Sequence, residues 1–236
     1  EPYRRQRQMC IRDSYRRVSS LWIGIYNVRT GECTFNDMMS AENGFEAGVK
    51  NHEIYNLNDI VTKSGKSYIV AVANPEGYSG IRNSFSVSFD ATTGKFSGEE
   101  NLRDILKTAD TWDKYKSIIV SGAAFDNGII DIQAPTINAN SGLLMSGHYV
   151  DNATTEEPEH PAGVNSETSV NILPNATGLD GIIHLRRLIS HIKFNIKGVG
   201  EIIDLTPQSF QIHNVPYTSW LNERTSGDNI LSLIHI

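Results

Sequence analysis

Two short runs in this chain are apolar at both odd and even positions: residues 21–26 (LWIGIY) and residues 68–73 (YIVAVA). Side chains alternate between the two faces of a strand, so such a run has to be covered on both, inside a doubly packed sheet or in the middle of a sandwich. Each run stops sharply. The first meets NVRTG at residues 27–31, a hairpin-like turn, and the second meets Asn74-Pro75, where the missing proline N–H ends ladder pairing. The fold expected from these runs is mainly β.

Period-two patterning supports this along much of the chain. Phe85, Val87 and Phe89 alternate with Ser84, Ser86 and Ser88, a strand buried on one face, and ATTG at residues 91–94 supplies turn chemistry. Further strands are expected at residues 116–120, 128–132, 143–150 and 169–173. One segment has helical spacing: Leu102, Ile105, Leu106 and Ala109 fall at i, i+3, i+4 and i+7, with Glu99 and Glu100 near the N-terminus and Trp112 and Tyr115 extending the apolar face. A second short helix is expected around residues 57–62. Residues 151–167 (DNATTEEPEHPAGVNSE) are polar, acidic and proline-bearing, and read as a mobile loop. A flexible stretch, PNATGLDG at residues 174–181, suggests a domain boundary near Asn175. Beyond it, a long strand is expected from Ile182 to about Lys197. Leu188, Ile192, Phe194 and Ile196 share one of its faces and Ile183, Leu185 and Ile189 the other, the pattern of a strand that bends or changes sheet. After a turn at residues 198–200, Phe210 and Ile212 open another strand that ends before Pro216.

Both ends read as foreign to the fold. Residues 4–14 (RRQRQMCIRDS) resemble one reading frame of a sequencing-library adapter, and residues 231–236 (LSLIHI) match the reverse complement of its inner end. The expected organisation is therefore a non-native segment at 1–14, an N-terminal β-sandwich domain at 15–175, the start of an incomplete C-terminal β domain at 176–230, and a non-native segment at 231–236. The competing reading of Arg4, Arg5, Arg7 and Arg12 is a basic arm for nucleic acid. The net charge is −6. Those four arginines against Glu1 and Asp13 give residues 1–14 a charge of +2, leaving −8 for the remainder. An acidic body argues against a phosphate-tracking protein, so no nucleic-acid partner is expected. No run of about 18 apolar residues occurs to span a bilayer. Of the two cysteines, Cys10 lies in the adapter-like end. Cys33 has no histidine nearby to activate it and reads as a half-buried filler.

Searches for reactive chemistry give no catalytic, cofactor-binding or metal-ligating residue. Gly65-Lys66-Ser67 would need a glycine at position 60 to form a phosphate-cradling loop, and Ile60 stands there, so a turn entering the Tyr68 strand is expected instead. GYSG at residues 77–80 is one residue short of a nucleophile elbow. His184 and His191 fall on opposite faces of a continuous strand, and His148 and His160 flank the acidic loop without a third ligand. Glu156, Glu157 and Glu159 lack the alternating spacing of a calcium-binding hand. Asn152-Ala153-Thr154 and Asn175-Ala176-Thr177 match the glycosylation acceptor pattern, a tripeptide short enough to recur by chance.

Leu21 to Gly31 followed by Val70 to Pro75 (VAVANP) resembles the paired strands of the fimbrillins, subunits of the type V pili of the Bacteroidales. Leu185 to Ile196, Phe210 to Pro216 (FQIHNVP) and LMSG at residues 144–147 are similar to further motifs of that family. The resemblance implies a two-domain β-sandwich of transthyretin-like or Greek-key type with one or two short helices, exported as a lipoprotein to the outer membrane. It implies a structural, adhesive subunit of a surface fimbria, assembled by donor-strand exchange with other pilus subunits and meeting a host glycan or protein receptor, with no cofactor and no enzymatic activity. The removable strand and cleavage site of that pattern would lie before Tyr15, and most of the second domain beyond Ile230. Apolar residues near 182–196 and 210–221 would then lack partners. The alternative is a surface carbohydrate-binding β-sandwich lipoprotein, with Trp112, Trp220, Tyr78, Tyr149 and Tyr217 available to stack on sugar rings and Trp22 buried in its strand.

Overall fold

The computed structural model describes residues 18–39, 57, 60–82, 88–90, 92, 95–121, 144–151, 168–179, 181–188 and 218–222. These residues are mainly β. The larger sheet is antiparallel and is centred on β1 (Leu21–Asn27), β3 (Gly65–Ala73) and β9 (Met145–Asp151), with β2 (Cys33–Met38) outside β1. Short strands complete its other side: β10 (Val170–Ile172) pairs the start of β3, and β11 (Gly181–Ile183) and β12 (Arg186–Arg187) pair β9. A smaller antiparallel sheet runs β13 (Thr218–Trp220), β8 (Ile119–Ser121), β4 (Ser79–Ile81) and β7 (Glu100–Asn101). A two-stranded hairpin, β5 (Phe89–Asp90) with β6 (Lys95–Phe96), brackets the expected turn at residues 91–94. The helices are α1 (Leu102–Lys107) and α2 (Trp112–Lys116).

The doubly apolar runs become the two central strands, paired in register from Leu21↔Ala73 to Asn27↔Ser67. Their even-numbered side chains, Trp22, Tyr26, Val70 and Val72, join Leu144 in one core beneath α1, α2 and the smaller sheet, where Leu102, Ile105, Leu106, Trp112, Tyr115 and Val120 meet them. Their odd-numbered ones, Leu21, Ile23, Ile25, Ile69 and Ala71, enter a second core with Met145, Tyr149, Val170 and Ile172. Each fully buried aliphatic side chain contributes about 1.5–3 kcal/mol through removal from water, so both faces stabilise the sheet. β3 ends where expected: Asn74 takes a φ of 57°. Its buried Oδ1 accepts the Ser19 N–H at 2.7 Å and the Ser20 N–H at 3.4 Å, tying the end of β3 to the entry of β1.

Several expectations are corrected. The single helix is two. Asn101, not the glutamates, caps α1, its Oδ1 accepting the Arg103 N–H at 2.9 Å, while Glu100 belongs to β7. Thr108 Oγ1 donates back to the Ile105 carbonyl at 3.0 Å, and Thr111 Oγ1 accepts the Lys114 N–H to start α2. Threonine hydroxyls compete with helical backbone bonds in this way. The linker between the helices is held against the β1–β2 hairpin, with Cys33 N–H donating to the Asp110 carbonyl and Trp112 N–H to the Gly31 carbonyl. Trp112 and Tyr115 still reach the same core as Leu102.

The described residues around 57–62, Leu57 and residues 60–62, are not helical. Leu57 and Ile60 pack on the second core, and Thr62 Oγ1 meets Thr34 Oγ1 at 2.7 Å. The strand expected at 116–120 begins only at Ile119, because Lys116 closes α2. Those expected at 143–150 and 169–173 are β9 and β10. The 128–132 strand, residues 83–87, residues 189–217 and the acidic loop at 152–167 lie outside the described residues.

The long strand expected from Ile182 is interrupted at His184 and Leu185, although β11 and β12 keep one register on β9, from Gly181↔Asp151 to Arg187↔Met145. Of the residues expected at 182–196 and 210–221 to lack partners, the described ones find them: Ile183 and Leu185 pack on the second core, and Leu188 packs on the first, where Leu221 is fully buried; residues 189–217 lie outside the described residues. Among the described residues, β11 and β12 pair β9 in the larger sheet and β13 pairs β8 in the smaller one.

Candidate functional site

The short motifs among the described residues lie in sheet and turn. Gly65, Lys66 and Ser67 lie inside β3 rather than in a turn, paired to β10, so their backbone N–H groups cannot converge on a phosphate. In the 77–80 motif, Gly77 sits in a turn at φ 83°, Tyr78 is buried, and Ser79 pairs Ser121 and Asn101 within the smaller sheet. Among the described residues no three His, Cys, Asp or Glu side chains gather as metal ligands. Cys33 is half-buried, and burial pushes its thiol up from its ordinary value. That is the opposite of the depression that makes a cysteine nucleophilic. Asn175 lies in an exposed turn with a φ of 61°; Asn152, His160, His191 and the glutamates at 156, 157 and 159 are outside the described residues.

Trp22, Tyr26, Tyr78, Trp112, Tyr115 and Tyr149 are buried in the core. Trp112 stacks on Tyr68 at 4.5 Å and on Tyr115 at 5.5 Å, and Trp22 stacks on Tyr115 at 5.7 Å. Tyr26 reaches through the layer, its hydroxyl donating to the Ala109 carbonyl at 2.9 Å. Burial raises the phenols of Tyr26, Tyr115 and Tyr78 above their ordinary value. Trp22 is buried as expected, whereas the availability of Trp112, Tyr78 and Tyr149 for sugar stacking is corrected: all three are buried. A ring whose faces are covered by other rings cannot serve as a platform. Trp220 is half-buried, and Tyr217 lies outside the described residues.

Asn36 on β2 has no counterpart in the sequence reading. Its Oδ1 accepts the Trp22 Nε1–H at 2.7 Å, and its Nδ2 donates to the Leu106 carbonyl at 3.0 Å, joining the larger sheet to the end of α1. Only the asparagine's position opposite the glycine of β1, Gly24↔Asn36, could have hinted at it, and that register is not readable from sequence.

What the geometry leaves for a partner is sheet edge. Among the described residues no strand pairs the outer side of β2, which is six residues long and half-buried apart from exposed Asp37. Its start is pinned by the Cys33 bond to Asp110, and the rest carries edge backbone of the kind that accepts another strand. On the opposite side β10 is three residues long and leads into exposed residues 173–179, where Leu173 and Leu179 are the large apolar side chains.

No family model matches the chain, and no curated protein matches it. Among solved structures it is similar to a fimbrial assembly protein from Parabacteroides distasonis, at 12% identity and a TM-score of 0.27, over 75% of this chain and 71% of that one.

Proposed function

We propose that this chain is a structural subunit of a cell-surface fimbria, assembled with other subunits by strand addition and acting in adhesion rather than catalysis. One observation carries the reading: the larger sheet is buried on both faces, so a partner that engages its backbone must come to an edge. Backbone hydrogen bonds along such an edge supply affinity, and alternate side chains entering the sheet's two layers supply register. The β2 edge fits an incoming extended segment of about six residues, by the one-to-one pairing of strands. The sugar-binding alternative is weakened by the burial of Trp112, Tyr78 and Tyr149. Export as an outer-membrane lipoprotein belongs to the same proposal, and among the described residues no helix is long and apolar enough to cross a membrane.

The test places a photo-crosslinking residue at Asp37 in the full chain and, as a control, at exposed Asp104 on α1. Ladders of crosslinked copies, or a crosslink to a co-produced subunit, at 37 and not at 104 are expected. Only uncrosslinked monomer at both positions, at concentrations where assembled fibres are seen, would remove β2 as the docking edge.

A further inference from the structure

The backbone of β2 presents alternate residues to the outside. Met39 N–H donates to the Leu21 carbonyl at 2.7 Å, and bonded and non-bonded pairs alternate along an antiparallel ladder. Asp37, opposite Ile23, and Phe35, opposite Ile25, therefore direct their N–H and C=O groups to β1. Asn36 and Met38 direct theirs outward, where a further strand would pair.

This outward row is closed at both ends. At the start Cys33 N–H donates to the Asp110 carbonyl at 2.9 Å, and Glu32 bridges Thr111. At the end Asp37 turns its carboxylate over its own strand, Oδ1 accepting the Met38 N–H at 2.7 Å. The Asp37 side chain is exposed, yet its register partner Ile23 is fully buried, and Phe35, next on that face, packs on the second core. A charge on the core-facing side of an edge strand and a bulge are two devices that blunt an edge. β2 carries both: the register steps between Ile25 and Tyr26, leaving Thr34 as the extra residue.

An edge that accepts any strand accepts its own copy, so the pairing of two β2 strands is the one to exclude. Bonded antiparallel through their outward residues, two copies have two central registers. One sets Asn36 opposite Asn36 and Met38 opposite Thr34; the other sets Asn36 opposite Met38 and the two Asp37 carboxylates opposite each other. Both registers call on the Met38 N–H, which Asp37 already holds. The second also opposes like charges across the new ladder, which is destabilising.

We propose that Asp37 guards the β2 edge: its carboxylate, closed over the Met38 N–H, keeps two copies of this chain from pairing β2 to β2. The guard rests on β2 as the docking edge of the proposed function, but not on what is assembled there. Hydrogen exchange on the full chain, kept dilute enough to stay monomeric and corrected for intrinsic rates, reads the cap. In Asp37→Ala the Met38 amide is expected to exchange at least about fivefold faster, while the Phe35 and Met39 amides, bonded to β1, are unchanged. Asp37→Asn, which keeps the accepting oxygen, should fall between. Sedimentation at rising concentration reads the guard. Asp37→Ala should dimerise at a concentration at least about tenfold below the wild type, and Met38→Pro in the same chain, which removes the outward N–H, should abolish that dimer. Should Met38→Pro misfold, the exchange readout stands without it. Unchanged Met38 exchange, dimerisation equal to the wild type, or an Asp37→Ala dimer that survives Met38→Pro would overturn the proposal. Dimers that appear on losing Asp37, in a chain that never enters a fimbria, would keep the guard and remove the fimbrial reading.

Discussion

Replacing Asn36 with alanine is expected to destabilise the fold out of proportion to the residue's half-exposed position. The asparagine accepts from an indole N–H that is wholly buried: Trp22 has no exposed surface. Truncation strands that donor where water cannot reach it, at about 1–3 kcal/mol, and also removes the donor to the Leu106 carbonyl, at about 0.5–1 kcal/mol. The Ala109 carbonyl keeps its bond from the Tyr26 hydroxyl, and the Lys107 carbonyl, which Asn36 Nδ2 also reaches at 3.3 Å, is exposed to water, so neither adds a large loss. The expected cost is about 1.5–4 kcal/mol, a large part of the roughly 5–15 kcal/mol by which domains are ordinarily stable. Urea unfolding followed by far-UV circular dichroism reads this directly, provided the denaturant slope is unchanged. A double-mutant cycle isolates the bond. Trp22→Phe loses packing but also removes the stranded donor, so Asn36→Ala should cost about 1–2 kcal/mol less in that background. A cost below about 0.5 kcal/mol, or strict additivity in the cycle, would show that the indole bond does not hold the sheet to α1.

Gly147→Ala is expected to displace β11 and β12, since its Cβ would meet the backbone carbonyl of His184, which cannot rotate aside; loss of the Leu188 amide's exchange protection with β1 intact would confirm it. Asn101→Ala and Thr111→Ala should each cost about 1 kcal/mol through loss of a helix cap, with Asn101→Gly nearer neutral, as measured by thermal unfolding. The raised phenols of Tyr26 and Tyr115 stabilise the fold fully below the ordinary value of 10.0, and that contribution drains away as pH climbs past it, because the unfolded chain then loses protons that the folded chain keeps. Phenolate absorbance should therefore develop in two stages, exposed tyrosines first and these two only with alkaline unfolding; a single smooth titration near 10 would refute their burial.

The parts legible in the sequence are those written as parity. Residues 21–26 and 68–73 announce strands with two covered faces because no other arrangement of a strand hides Trp22 and Ile23 at once. The helical spacing of Leu102, Ile105 and Leu106 locates a core face, yet the break at Thr108 is hidden: Trp112 and Tyr115 continue the spacing, and the Thr108 cap is accompanied by bonds of residues 110 and 112 to Cys33 and Gly31, which are tertiary. The covering of aromatic side chains is hidden from the sequence for a related reason. Trp112, Tyr78 and Tyr149 stand in mixed surroundings in the sequence, and only the stacking of one layer on another covers them. The interruption at His184 is equally hidden, since it goes with the close approach of the His184 carbonyl to Gly147, a tertiary contact.

A sheet covered on both faces has one direction left in which to grow. Were either core open, a partner could dock through side chains alone and the backbone would matter little. Here the even positions of β1 and β3 are filled by the aromatic layer and the odd positions by the aliphatic one, so new burial at the centre would have to displace what is there. Overpacking a filled core costs about 1–3 kcal/mol per intruding group. Pairing a further strand to β2, in contrast, displaces no core side chain among the described residues and satisfies backbone groups already arranged in a row. At the opposite side of the sheet β11 and β12 are short, three and two residues long, against the seven continuous pairs that join β1 to β3. Long continuous pairing of β1 with β3 and shorter strands at the margins put the rigid part of the sheet at its centre, the distribution that the proposed strand addition calls for.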